Sequence, residues 1–315
     1  MRRPTPSRRA HLLILIAVVA LALTANSAPV SAAPFWRLSS RAAPSNLAPG
    51  TTGLLAVVAE DLGDAGVKGE RSHVKISDSL PAGLSLSGGA AAVRARRSYP
   101  ISGEAEEAAF WSCQSEDEQQ VSCESSLDIP PYEALELLIP VTVSEPPGTV
   151  ATVQNTVSVQ GGLAEEAGEP PVLGATLARA VKIDAAQLPF GIEAGGYTLT
   201  PENEVGEPER QAGSHPFQLT ANVNFNQTLE TLPVQQGAPP QKGLQPASPG
   251  LAKDLSFGLP PGLLGNVTAA EQCPEFDFSA IGPENVNFCP AGAAIGVATV
   301  FINIPKPYGY AHFAV

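Results

Sequence analysis

The chain has 315 residues and a formal net charge of -13, an acidic balance that repels phosphate backbones and argues against nucleic acid as a partner. Its 29 glycines and 31 prolines exclude a fold of many long helices, because proline lacks the amide donor and clashes with the preceding helical turn. Short Val/Leu/Ile/Thr runs between Pro/Gly breaks instead predict an all-β protein, with length for two sandwich-sized modules.

The N-terminus reads as an export signal. Arg2, Arg3, Arg8 and Arg9 form a basic start, and Leu12 to Ala25 is an uncharged apolar run too short to span a bilayer comfortably. Val30-Ser31-Ala32 suits a signal peptidase, so residues 1–32 are expected to be cleaved, the alternative being an uncleaved anchor. Their loss removes four arginines and no acid and moves the charge to -17. Ser7-Arg8-Arg9 matches a twin-arginine signal only superficially, since His11 stands where a bulky apolar residue belongs. No cysteine follows the apolar run, which argues against a lipoprotein anchor.

Residues 33–45 are Pro/Ser/Ala-rich and are expected to be a loose leader or linker. Residues 46–183 are expected to form a first Ig-like β-sandwich module. Leu54 to Val58 reads as a buried strand, His73 to Ser77 as a half-buried one, and Leu80-Pro81-Ala82-Gly83-Leu84 as a turn. Phe110 to Cys113 and Val121 to Cys123 read as paired strands flanking a charged loop at residues 115–120, with Trp111 packed nearby. Leu135, Leu137, Ile139, Val141 and Val143 alternate strictly within a strand at 132–143. Thr149 to Val159 alternates in the same way, and Leu177 to Ile183 reads as a closing strand. Residues 184–315 are expected to form a second β-rich module. Its strands are Tyr197 to Thr200, Phe217 to Phe225 and Gly296 to Ile304, and a second turn lies at Leu259-Pro260-Pro261-Gly262-Leu263. Ala311 to Val315 is a further strand-like run, and the abrupt stop after it is expected of a truncated reading frame.

Several of these stretches resemble known families. Asp78 to Leu84, Trp111 with Cys113 and Cys123, the Leu135–Val143 strand, and Asn155 leading to Val159 resemble the conserved-repeat domain of unknown function, number eleven in its series, of bacterial surface and secreted proteins. That resemblance covers about residues 46–160 and implies an Ig-like sandwich, usually in extracellular arrays. Glu60-Asp61 departs from it where an asparagine is common. Pro189 to Ile192, Gln211 to Phe217, Lys253 to Phe257, Leu259 to Asn266, Cys289-Pro290-Ala291 and Ile295 to Thr299 resemble an uncharacterised domain of large secreted actinobacterial proteins. That likeness implies architecture and compartment only. The Ala/Gly/Pro/Arg-heavy usage agrees with a high-GC bacterium.

Few residues in the sequence suggest chemistry. After cleavage the histidines are His73, His215 and His312; Ser214 adjoins His215, but sequence neighbours do not make a nucleophile–base pair and no Gly-x-Ser-x-Gly elbow occurs. Glu106/Glu107 and Glu165/Glu166 sit in acidic loops rather than as a spaced catalytic pair. No catalytic, metal or cofactor residue is therefore assigned. Cys113, Cys123, Cys273 and Cys289 lack zinc-knuckle spacing and permit three disulfide connectivities. We expect Cys113–Cys123 and Cys273–Cys289, because each pair lies within one module. Arg94, Arg96 and Arg97 are the only basic cluster after cleavage. They read either as a charged strand edge or as a contact for an acidic wall polymer. Asn226-Gln227-Thr228 and Asn266-Val267-Thr268 are glycosylation sequons, relevant only to a eukaryotic secretory route.

The sequence thus predicts a non-enzymatic secreted or cell-surface spacer, scaffold or adhesion element, without cofactor, whose partner is unknown beyond an extracellular or cell-wall polymer. One alternative is a carbohydrate-binding module, although Trp36, Tyr99, Tyr132 and Tyr197 are scattered along the chain. Another is an accessory region of a larger secreted hydrolase.

Overall fold

The computed structural model describes residues 33–97, 110–164, 172–231, 244–258, 266, 268–280, 282, 287–303 and 310–314. The signal segment, the second Leu-Pro-Pro-Gly-Leu turn, Tyr99 and the Glu106/Glu107 and Glu165/Glu166 pairs lie outside the described residues.

The first strands are β1 (Trp36–Ala43), β2 (Asn46–Leu47), β3 (Thr52–Asp61), β4 (Val67–Lys68), β5 (Val74–Ser79), β6 (Leu84–Leu86) and β7 (Arg94–Arg97). They are followed by β8 (Trp111–Asp117), β9 (Gln120–Ser125), β10 (Ala134–Val143), β11 (Ala151–Gln160), β12 (Leu163–Ala164) and β13 (Ala175–Ile183). One sheet has five strands, ordered β1-β3-β10-β6 with β7 also on β10. The other has six, ordered β2-β13-β11-β5-β9-β8. Their inner faces share one core. Leu55, Val57, Leu135, Leu137 and Ile139 come from the first sheet, and Val74, Ile76, Val121, Val157 and Val159 from the second. This is an all-β sandwich of the Ig-like type, and the strict alternation on β10 and β11 is what fixes its register.

β1 corrects the expectation of a loose leader. Residues 36–43 pair antiparallel with β3 along their whole length, and Trp36, Leu38 and Ala42 enter the core. Their composition is Ser/Ala/Arg-rich, but Trp36, Leu38 and Ala42 share one face of a period-two pattern with Ser40, which is the signal that matters for a strand. Two strand ends also shift. β8 runs on to Asp117 because that carboxylate accepts the amides of Gln119 and Gln120 and closes the hairpin turn. β10 starts at Ala134 because Tyr132 turns the chain with a φ of 66°.

The Leu-Pro-Ala-Gly-Leu stretch is a tight turn. Leu84 N–H donates to the Pro81 carbonyl at 3.1 Å, Gly83 adopts a φ of 89°, and Leu80 and Leu84 are both buried. A Cβ at Gly83 would also lie 2.6 Å from Glu145 Oε1.

Residues beyond 183 form two-stranded ribbons. β14 (Ile192–Glu202) pairs with β15 (Gln218–Phe225), β16 (Thr228–Thr231) with β17 (Leu244–Ala247), and β18 (Thr299–Asn303) with β19 (Tyr310–Ala314). A one-turn helix, α1 (Glu275–Ser279), lies between β17 and β18. β17 packs against β1 and β3 and so covers the outer face of the first sheet. Leu54, Ala56, Val58, Ala134, Glu136 and Leu138, which point away from the sandwich core, are buried as well, the first three on the strand that β17 contacts. A strand buried on both faces reads as a continuous apolar run, which is what Leu54 to Ala59 shows.

Candidate functional site

Several charged side chains are engaged inside the protein. Glu136 on β10, with no exposure, accepts Arg96 Nε at 2.6 Å and faces Arg41 at 3.5 Å. Arg97 bonds Glu133 at 3.0 Å and the Asp128 carbonyl at 2.9 Å, and Lys68 pairs with Asp128 at 3.0 Å. Arg94 donates to the Leu244 carbonyl. Burial lowers the Arg94 guanidinium, and its neighbour Arg96 lowers it further. Arg94, Arg96 and Arg97 therefore tie β7 to β10, to Asp128 and to β17. They do not stand as a free basic patch.

Further charges sit where β1 and β3 meet the second region. Arg37 pairs with the fully buried Glu202, which also accepts Thr220 Oγ1 at 2.7 Å and Gln218 Nε2 at 3.0 Å. Burial pulls the Arg37 guanidinium below its usual range, and Glu60 opposes that shift. The Glu60 carboxyl is pushed up by burial, with Thr299 at 3.2 Å and Arg37 holding it down. Asp61 rises to about 8 because it is buried, although its carboxylate accepts the amides of Gly63 at 3.0 Å and Phe35 at 3.2 Å.

His73 and His215 are exposed, and among the described residues neither makes a side-chain bond to a serine or carboxylate. His312 falls on β19, paired with Phe301, and its side chain lies outside the described residues. Among the described residues no group of three His, Cys, Asp or Glu side chains is placed to hold a metal ion. Nor is any helix among them long and apolar enough to cross a membrane. A shallow depression beside α1 is lined by Glu275, Phe276, Ser279 and Ala280 and contains no convergent polar groups.

The cysteines form two bonds. Cys113 and Cys123 are direct cross-strand partners on β8 and β9, with Cα atoms 4.0 Å apart. Cys273 and Cys289 join the residues on either side of α1, with Cα atoms 5.2 Å apart. Asn226, in the first sequon, is buried and donates Nδ2 to the Pro189 carbonyl at 2.8 Å, whereas Asn266 is exposed and accepts Thr268 Oγ1 at 2.7 Å.

Among the exposed residues are several large apolar side chains. On the β14–β15 ribbon, Tyr197, Leu199 and Pro201 lie opposite Val223, Ala221 and Leu219 and form one apolar face. Thr200 and Glu202 lie opposite Thr220 and Gln218 on the other face. The polar face is turned inward at its Glu202 end, where Glu202 is buried against Arg37, while Thr198 farther along the same face is exposed. The apolar face is turned outward, leaving Tyr197 and Leu219 44% and 43% exposed. Phe257 stacks on Tyr197 with ring centroids 6.2 Å apart and is itself exposed, as are Leu251, Leu255 and Phe217. The sequence placed Tyr197 and Phe217–Phe225 on strands. It gave no sign that the ribbon would be mounted with its apolar side out, because alternation defines two faces without saying which one is covered.

No protein-family model and no curated protein matches the chain. Among solved structures, the collagen-binding subdomain of the Enterococcus faecalis surface protein ACE is similar at 11% identity and a TM-score of 0.33, over 48% of this chain and 96% of that one. The major pilin BcpA of Bacillus cereus is similar at 14% identity and a TM-score of 0.33, over 70% of this chain and 64% of that one. AvmM, which catalyses a macrocyclization in alchivemycin A biosynthesis, is similar at 11% identity and a TM-score of 0.28, over 49% of this chain and 90% of that one. These overlaps include two surface proteins and an enzyme, and the fold class rests on the sheets described above.

Proposed function

We propose that this chain is a non-enzymatic structural or adhesion element, exported and held at the cell surface, built of an Ig-like module ending at residue 183 and a β-rich module at 184–315. The outward apolar face of the β14–β15 ribbon carries this reading. Contiguous exposed apolar surface around buried polar anchors is the usual form of a contact surface for another macromolecule. The engaged arginines, the exposed His73 and His215 and the disulfides fit a stapled scaffold better than a reaction centre. The export signal expected at residues 1–32 supports the compartment.

The test is retention under flow. Beads carrying the wild-type chain are expected to stay on protein-coated glass, and Tyr197→Ser with Leu219→Ser to release them without changing thermal unfolding. Equal retention of variant and wild type would overturn the reading. Retention on polysaccharide-coated glass alone, insensitive to these substitutions, would put the carbohydrate-binding alternative in its place.

A further inference from the structure

Two polar side chains sit where the alternation calls for apolar ones. On β5 the core-facing positions are Val74, Ile76 and then Asp78; on β11 they are Asn155 and then Val157 and Val159. Both Asp78 and Asn155 have no exposure. Asn155 Nδ2 donates to Asp78 Oδ2 at 3.3 Å, and this bond leaves Asp78 Oδ1 and Asn155 Oδ1 buried without a partner.

Two bare acceptors on a bonded pair in an apolar core cost free energy in proportion to their lost hydration. A single proton removes the conflict. A carboxylic acid and a carboxamide are complementary, since each offers one donor and one acceptor. We propose that Asp78 is a neutral acid that donates Oδ1–H to Asn155 Oδ1 while accepting from Nδ2, so that a closed two-bond pair clasps β5 to β11 and opens when the proton is lost.

The surroundings agree. Asp78 faces Val121 on β9 and Val157 on β11. Across the core, β1 presents Trp36, Leu38, Ser40 and Ala42, and β3 and β10 present apolar residues. Charged groups near in register are Arg179, opposite Asn155 on β13 and paired with Glu193 at 2.5 Å; Asp117 on β8, opposite Gln120 of β9; and Lys75 on β5, paired with Glu124 at 3.6 Å. Burial raises the Asp78 carboxyl to about 7, with the Asn155 bond opposing the rise and no charged group contributing.

The sign follows from proton counting. A folded-state value near 7, against about 4 in the unfolded chain, means that the folded state holds the extra proton between those limits. The clasp therefore stabilises fully below about pH 4, and its contribution is lost progressively as pH rises to about 7. Asp61 is shifted in the same direction, but it is common to wild type and variant and cancels from their difference.

The experiment compares wild type with Asp78→Asn, which retains a two-bond amide pair without a titrating proton. Urea unfolding of the full chain is followed by Trp36 and Trp111 fluorescence from pH 4.5 to 8.5. The folding constant of wild type relative to the variant is expected to fall by up to about tenfold per pH unit until about pH 7 and then level off. Parallel curves would overturn the proposal. If the variant does not fold, the assigned Asp78 carboxyl carbon in labelled wild type decides by NMR. A titration midpoint near 7 upholds the proposal, and one near 4 overturns it.

Discussion

Glu136 shows how one residue changes role between sequence and structure. On β10 it follows Leu135 and precedes Leu137, so alternation assigns it to the face opposite the core, where water is the default. The structure covers that face, and the carboxylate becomes the common partner of Arg41 and Arg96. Removing it takes a carboxylate from two guanidinium groups, one buried and one about a quarter exposed. Glu136→Ala is therefore expected to cost about 3 kcal/mol in urea unfolding, the low end for a broken buried pair because Arg96 is partly screened. Glu136→Gln, which can still accept from Arg96, is expected to cost clearly less. Equal losses for the two variants would show that the charge contributes little there. The sequence supplied the residue and its position on the strand, but no local pattern indicates which distant segment will dry out the outer face.

At the scale of elements, the stapled hairpin was the most legible part. Two cysteines ten residues apart, on apolar strands flanking a polar turn, could oppose each other only in an antiparallel register, and β8 and β9 adopt it. β8 is the edge strand of its sheet, held by β9 alone. Closing a loop of this length is worth about 2.5 kcal/mol in chain entropy. Replacing Cys113 and Cys123 by serine is thus expected to lower unfolding stability by about that amount. It should also speed hydrogen exchange at β8 and β9 amides while leaving β3 and β10 protected. Unchanged exchange at β8 would mean that Trp111, packed against the core, anchors the strand without the bond. β1 was the element misread. Its Ser/Ala/Arg composition resembles a leader, and only pairing with β3 shows that the period-two placement of Trp36, Leu38 and Ala42 was meaningful.

At the scale of the molecule, the sandwich is covered on one side by chain that follows it. β17 lies on β1 and β3, Arg37 reaches Glu202, Ser45 exchanges hydrogen bonds with Gln227, and Glu60 meets Thr299. Residues 33–183 made alone would expose Leu54, Ala56, Val58 and Leu138 together with the Arg41–Glu136 pair. That fragment is expected to self-associate in light scattering and to unfold at lower urea than the full chain. A monomeric fragment of equal stability would show that the covering layer is dispensable and that residues 33–183 stand as an independent module.

The sequence by itself determined the all-β class, the core-facing residues of β5, β10 and β11, the turn at Leu80–Leu84 and the pairing of near cysteines. All of these follow from periods, turn chemistry and spacings that act over a few residues. The tertiary structure alone decided that β1 belongs to the sandwich, that the arginines at 94, 96 and 97 are taken up by internal partners, and that the β14–β15 ribbon turns its apolar face outward. It also decided that Asp78 and Asn155 meet in the core. Each of these depends on contacts between residues far apart in sequence, and a strand's alternation names its two faces without saying what will cover either of them.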